Sequence, residues 1–135
     1  GDLCLGFNGE MDALMTEYDV VKVDALNCID CLLGGRGKVL QMDPEHRFYF
    51  LTAGFLDFTE NLTLGSKEDN MRRFKMLKGI IVLDSLGDID RHWDRIEQIS
   101  DQTGLPVLEH CVVGLDGLKA LIEAALKKGG HDPVA

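Results

Sequence analysis

Two cysteines three residues apart are the residues of this chain best suited to chemistry. Cys28 and Cys31 enclose Ile29 and Asp30, and they follow Asn27, a residue type that commonly caps a helix. A cysteine at a helix start lies near free backbone N–H groups and the positive end of the helix dipole, which favour the thiolate. The spacing therefore predicts a pair of ionisable sulfur atoms at the beginning of a helix.

Two further cysteines, Cys4 and Cys111, lie in apolar segments that predict strands. In a chain of this composition, cysteines are more often free thiols, metal ligands or redox groups than structural disulfides. A zinc-finger pattern is excluded because the chain has a single C-x-x-C. The plain alternative is that a cysteine packs as a small hydrophobic residue, and it stays open for Cys4, Cys31 and Cys111.

The elements that must position these side chains alternate along the chain. Apolar segments predict strands at residues 3–7, 19–23, 47–53, 80–83 and 107–111, and segments of helical periodicity separate them. This order predicts an α/β fold of three layers, with a mostly parallel sheet of about five strands and helices on both faces. We expect residues 1–130 to form one domain with sequence missing upstream, and residues 131–135 to form a flexible tail.

In open parallel sheets, ligands bind outside the carboxyl ends of the strands. Most of the candidate residues follow or end a predicted strand, and Cys4 lies within a few residues of such an end. Thiolates select zinc, copper(I) or iron–sulfur centres. The sequence therefore predicts a metal or cofactor site, with zinc or an iron–sulfur cluster as the occupant. Its expected ligands are Cys4, Cys28, Cys31, His110 and Cys111.

Charge and composition disfavour several classes of function. The formal net charge of −9 opposes direct binding to DNA, RNA or an anionic membrane. No apolar run approaches the roughly 20 residues of a membrane-spanning helix. No basic leader precedes an apolar segment either, so we expect a cytoplasmic protein. The glycine-rich stretches match neither G-x-G-x-x-G nor a phosphate-binding loop, which disfavours nucleotide binding.

Four segments together resemble an uncharacterised family of bacterial and archaeal proteins of unknown function. They are LCLGFNG at residues 3–9, DCLLG at 30–34, FLTAGF at 50–55 and the apolar strand at 80–86. Members of that family often occur in anaerobes, encoded near corrinoid-dependent methyltransferases. The resemblance therefore implies a link to methyl transfer and a corrinoid or methyltransferase protein as partner.

The resemblance also implies site residues. Relatives carry His-Asp-Cys where this chain has Ile29, Asp30 and Cys31. The match favours Cys31 as a site residue, and Ile29 stands in the place of the histidine. Asn8 stands about where relatives place a cysteine. The third segment contains Thr52, and the acid Asp57 follows shortly after that segment. The cofactor-binding residues implied in this way are Asn8, Thr52 and Asp57.

Three functions fit these observations. The first is a cysteine-lined metal or cofactor site at the carboxyl edge of the strands. The second is a dithiol redox protein that uses Cys28 and Cys31, although no aromatic residue precedes the first cysteine. The third is a non-catalytic binding or assembly subunit whose acidic surface suits a basic partner.

Overall fold

The chain is described here from a computed structural model that covers residues 9–59 and 65–130, without the side chains of residues 57–59. It divides into two compact units. Of the described residues, 9–42 and 115–130 belong to the helical unit, and 43–59 and 65–114 belong to the sheet unit. The predicted tail at residues 131–135 lies outside the described residues.

Within residues 9–42 and 115–130, the helical unit has four helices. They are α1 (Glu10–Tyr18), α2 (Cys28–Leu33), α3 (Lys38–Met42) and α7 (Asp116–Lys128). Helix α2 begins after Asn27, as the capping residue predicts, and it ends at Gly34.

The sheet unit alternates strands and helices. Its elements are β1 (Phe48–Leu51), α4 (Ala53–Thr59), α5 (Lys67–Phe74), β2 (Gly79–Asp84), a 3₁₀ turn (Ile89–His92), α6 (Trp93–Thr103) and β3 (Val107–Val112). The strand order is β1-β2-β3 and both pairs are parallel. The prediction of an α/β chain with a parallel sheet is thereby confirmed.

Strand β2 lies in the centre of this sheet, and all six of its residues are buried. A continuous apolar run is typical of a strand covered on both faces. The main apolar core of the sheet unit joins one face of β1 and β2 to the helices around them. Its members are Leu51, Leu56, Ile80, Val82, Ile89, Ile96, Ile99 and Leu105.

The sheet that the structure describes has three strands, not the five predicted. Residues 3–7 lie outside the described residues, and residues 19–23 form no strand. After α1 the chain turns through Asp19 in the left-handed conformation, and Val20 and Val21 remain 53% and 42% exposed. Valine favours a strand only where a neighbouring strand and burial reward it. The valine-rich composition of residues 19–23 was therefore a misleading local signal.

Every helix in residues 9–59 and 65–130 is too short or too polar to cross a bilayer.

Candidate functional site

The cysteine pair lies on the short helix α2 of the helical unit. Cys28 is its first residue and is exposed, whereas Cys31 is half-buried one turn later. Side chains three residues apart on a helix lie on one face, with Cβ atoms about 5–6 Å apart. Neither sulfur is in a disulfide. The prediction that this C-x-x-C begins a helix is confirmed.

Asn27 and Gly34 fix the two ends of this helix. The Asn27 side-chain oxygen accepts a hydrogen bond from the backbone N–H of Asp30 at 2.9 Å. Its carbonyl accepts the N–H of Cys31 at 3.1 Å. Gly34 adopts a φ of 98° and donates its N–H to the carbonyl of Cys31. With both ends capped, the six residues of α2 hold the two cysteines in a fixed relation.

Asp30, between the cysteines, organises the chain on either side of α2. It is 1% exposed, and one carboxylate oxygen accepts the N–H groups of Leu26 at 3.2 Å and Gly37 at 3.0 Å. The other oxygen accepts the N–H of Val39 at 2.9 Å. Hydrogen bonds to an ionised acceptor are stronger than those between neutral groups. The carboxylate therefore positions the glycine-rich loop, and its acceptor sites face backbone amides.

Gly117 allows α7 to approach the end of α2 closely. A Cβ atom added at Gly117 would lie 2.9 Å from the Cα of Gly34 and 3.2 Å from its nitrogen. Side-chain carbons do not approach backbone atoms so closely, so residue 117 must be glycine for this contact. The contact places the end of the cysteine-bearing helix against the start of α7.

Arg36 ties the loop after α2 to the segment before it. Its Nε donates to the Asp24 carboxylate at 2.7 Å, and its backbone N–H donates to the Asp24 carbonyl at 2.8 Å. The Arg36 hydrogen bond and charge lower the pKa of the Asp24 carboxyl below its ordinary value. This exposed ion pair, like the hydrogen bonds of Asp30, connects the loop after α2 to the segment before it.

The surroundings of the cysteine pair shift the pKa of Cys31, the half-buried thiol. Burial raises the pKa of Cys31 above the ordinary thiol value of 9.0, and the charges of Cys28 and Asp30 raise it further. A thiol with a raised pKa stays protonated at neutral pH unless a cation or a reaction partner compensates the charge. Chemistry at this pair would therefore begin at the exposed Cys28.

Two of the predicted cofactor-binding residues lie at the end of β1 and just beyond it. Thr52 directly follows β1, is buried, and its hydroxyl oxygen accepts the N–H of Phe55 at 3.3 Å. This contact caps the start of α4, which is a structural role. Asp57 lies within α4, and its side chain is outside the described part of the chain.

The adjacent residues His110 and Cys111 point to opposite faces of β3. The Nε2 atom of His110 lies 3.8 Å from a carboxylate oxygen of Asp84, whereas Cys111 donates its S–H to Glu109 at 3.6 Å. Burial, and then the hydrogen bond to Glu109, raise the pKa of Cys111 above 9.0. Because neighbours in a strand alternate between faces, His110 and Cys111 are not placed to hold one ion together.

The described residues do not assemble the predicted metal site. Within residues 9–59 and 65–130, no three side chains of the types His, Cys, Asp and Glu are grouped so that they could hold a metal ion. Helix α2 brings Cys28 and Cys31 together, and Cys4 and Asn8 lie outside the described residues. The full set of five ligands stays a prediction.

Sequence reasoning missed the structural role of Asp30. An aspartate three residues after an Asn cap and just before a run of glycines signals a side chain that could turn back onto the loop. The contact between Asp84 and His110 gave no sequence signal, because it depends on the register of β2 against β3.

Over residues 1–122, the chain matches the family model described as "Protein of unknown function (DUF1638)". The chain belongs to this family. Neither a curated protein nor a solved structure matches this chain. For this DUF1638 member, the expectation of an uncharacterised family is confirmed, and the corrinoid or methyltransferase partner stays a prediction.

Proposed function

We propose that Cys28 and Cys31 of this DUF1638 chain form a binding site for a soft metal ion, or for a cofactor that contains one. The observation that supports this is the pair of unpaired thiols on neighbouring turns of a helix capped at both ends. Thiolates are the ligands that zinc, copper(I) and iron–sulfur centres prefer. A rigid pair spaced by one helical turn suits a single ion.

The surroundings of the pair fit a cation. Burial and negative charge oppose the thiolate form of Cys31, and a bound cation would remove that opposition by compensating the charge. Asp30 does not compete for the ion because both of its oxygens accept backbone N–H groups. The exposed Cys28 gives an ion access from solvent.

Two thiolates do not complete a typical structural site, since zinc and iron–sulfur centres take about four ligands. Cys4 is the thiol we propose as a third ligand. His110 and Cys111, the other two predicted ligands, lie in the sheet unit and are not included in this proposal. Water or a partner would fill any position left over.

Titration of the reduced full-length chain with Cd²⁺ under anaerobic conditions tests this proposal. Cadmium bound by thiolates absorbs in the ultraviolet, so the signal reports sulfur ligation directly. We expect a saturable band in the wild type that is strongly reduced in Cys28→Ser and in Cys31→Ser. Cys111→Ser is the matched control, because this thiol is also half-buried and donates to Glu109 instead.

The variants separate the outcomes. A smaller band in Cys4→Ser would place that residue among the ligands. An unchanged band in the Cys28→Ser/Cys31→Ser double variant would overturn the proposal, as would a wild type that shows no band. Retained cooperative unfolding of each variant, followed by circular dichroism, excludes loss of the fold as the cause.

The unequal exposure of the two thiols supports dithiol exchange as a second candidate. The exposed Cys28 would attack a small disulfide and release one thiol, and Cys31 would then displace the second thiol from the mixed disulfide. The pair would lose two hydrogens and the small disulfide would be reduced. Helical Cα atoms three residues apart are about 5 Å from each other, within the range of disulfides.

Mass spectrometry after incubation with oxidised glutathione tests dithiol exchange. A Cys28–Cys31 disulfide that forms reversibly would favour this candidate over metal binding. A stable mixed disulfide on Cys28 that Cys31 never resolves would exclude it.

The link to methyl transfer rests on the resemblance alone and is proposed on that basis. Co-purification of the anaerobic full-length chain with a corrinoid protein, followed by corrinoid absorbance, is its test. If no corrinoid protein co-purifies, the metal proposal is unaffected, because the thiolate signal is measured on the isolated chain.

A further inference from the structure

We propose that Asp84 and His110 form a second cation site, for a divalent transition-metal ion such as Zn²⁺, at the carboxyl edge of the sheet unit. Strand β2 ends at Asp84, and β3 carries His110 opposite Val82. Asp84 comes two residues after Val82 and so faces the same side of the sheet as His110. The carboxyl edge of a parallel sheet is where ligands commonly bind.

One oxygen of Asp84 is held by the protein and the other lacks a donor. Oδ1 accepts the backbone N–H of Gly87 at 2.7 Å. Oδ2 faces His110 Nε2 at 3.8 Å, too far for a hydrogen bond, and accepts none from the residues that the structure describes. Asp84 is 94% buried, since it is 6% exposed. The Asp84 side chain is 8% exposed, so this oxygen, which has no donor among the described residues, is accessible to water or an ion.

His110 is also without a hydrogen bond from either ring nitrogen among the described residues. Its side chain is 33% exposed, and its ring lies 5.8 Å from the ring of Trp93. Two polar atoms therefore face one another across a gap that no described side chain fills.

The gap suits a transition-metal ion. At zinc–ligand distances of about 2.0–2.2 Å, two ligands on one ion lie roughly 3.4 Å apart at a tetrahedral angle and at most about 4.2 Å apart. The observed 3.8 Å falls in that interval. The Gly87 N–H on the second carboxylate oxygen is the type of outer contact that orients a ligating carboxylate. Two protein ligands leave positions open to water or an anionic ligand.

Histidine ring signals in NMR spectra of the full-length chain test this site. The matched control is His92→Gln, which removes a half-buried histidine close in sequence to Trp93. We expect added Zn²⁺ to shift the His110 signals saturably, while the His46 and His92 signals stay unchanged. His110→Gln identifies the His110 signals by their loss, and in zinc calorimetry of the Cys28→Ser/Cys31→Ser background it should abolish the binding that His92→Gln retains.

Asp84→Asn keeps an oxygen for the Gly87 N–H and should weaken the apparent Zn²⁺ affinity at least about tenfold. His110 signals that do not respond to excess Zn²⁺ would mean a bridging water only and would overturn the proposal. An equal response in Asp84→Asn would do the same. If Asp84→Asn does not fold, zinc calorimetry of His110→Gln and His92→Gln decides. Equal zinc binding by these two variants would overturn the proposal.

The two proposed cation sites can fail independently. Thiolate absorption reports Cys28 and Cys31, whereas the ring signals report His110. Repeating the zinc titration in the Cys28→Ser/Cys31→Ser background removes any ion held at α2.

Discussion

Replacement of Asp30 by asparagine tests whether a buried carboxylate holds the chain around the cysteine pair. Asparagine keeps the size of the side chain and one acceptor oxygen, but its NH₂ group cannot accept a hydrogen bond. In the better rotamer, the amide oxygen keeps the N–H groups of Leu26 and Gly37. The NH₂ group then faces the N–H of Val39, which loses its acceptor.

The expected cost follows from these contacts. Losing one hydrogen bond to a charged acceptor costs about 1.5–3 kcal/mol, and leaving a buried N–H without a partner costs about 1–3 kcal/mol. These contributions overlap because they concern the same donor. We therefore expect Asp30→Asn to lower the free energy of unfolding by about 3 kcal/mol, a large part of the roughly 5–15 kcal/mol typical of a domain.

Urea unfolding followed by far-ultraviolet circular dichroism measures this change. The matched control is Asp12→Asn in the same unit, where the side chain is 73% exposed and lies 3.8 Å from Lys22. A surface ion pair of this kind contributes less than about 1 kcal/mol. If Asp30→Asn and Asp12→Asn change stability equally, the carboxylate of Asp30 does not hold the loop and the reasoning is refuted.

Three further predictions concern the glycine contact and the thiols. Gly117→Ala should cost about 1–3 kcal/mol in chemical unfolding, because its Cβ would lie 2.9 Å from the Cα of Gly34. Gly54→Ala in α4, where the nearest atom would be 3.9 Å away, should be neutral or stabilising, and equal losses in both would contradict the packing argument. Iodoacetamide should modify the exposed Cys28 before Cys31, and the Cys31 rate should keep rising above pH 9.0 because burial raises its pKa. Mass spectrometry measures this, and identical pH profiles would refute it. Because the folded chain holds the Cys31 proton more tightly, its contribution to stability is present below pH 9.0 and is lost as pH rises through the raised pKa. Urea midpoints of wild type and Cys31→Ser across that window check the sign, and a wild type that gains stability relative to the variant would contradict it.

Local signals in the sequence were sufficient for several elements of this chain. Asn27 caps a helix as predicted, and its side chain accepts the N–H three residues later. The apolar run at residues 80–83 forms the fully buried strand β2. These outcomes depend on hydrogen bonds and hydrophobic runs within a few residues, so neighbouring side chains determine them.

The number of strands and the surroundings of the candidate residues depend on contacts between distant parts of the chain. Residues 19–23 have the composition of a strand but no strand conformation, because pairing requires a partner that composition does not specify. The sequence placed Cys28 and Cys31 at a helix start. Only the tertiary structure showed that Asp30 turns onto backbone amides and that strand register sets His110 beside Asp84. Shifting that register by one residue would move the histidine to the other face of the sheet, so strand pairing decides this contact.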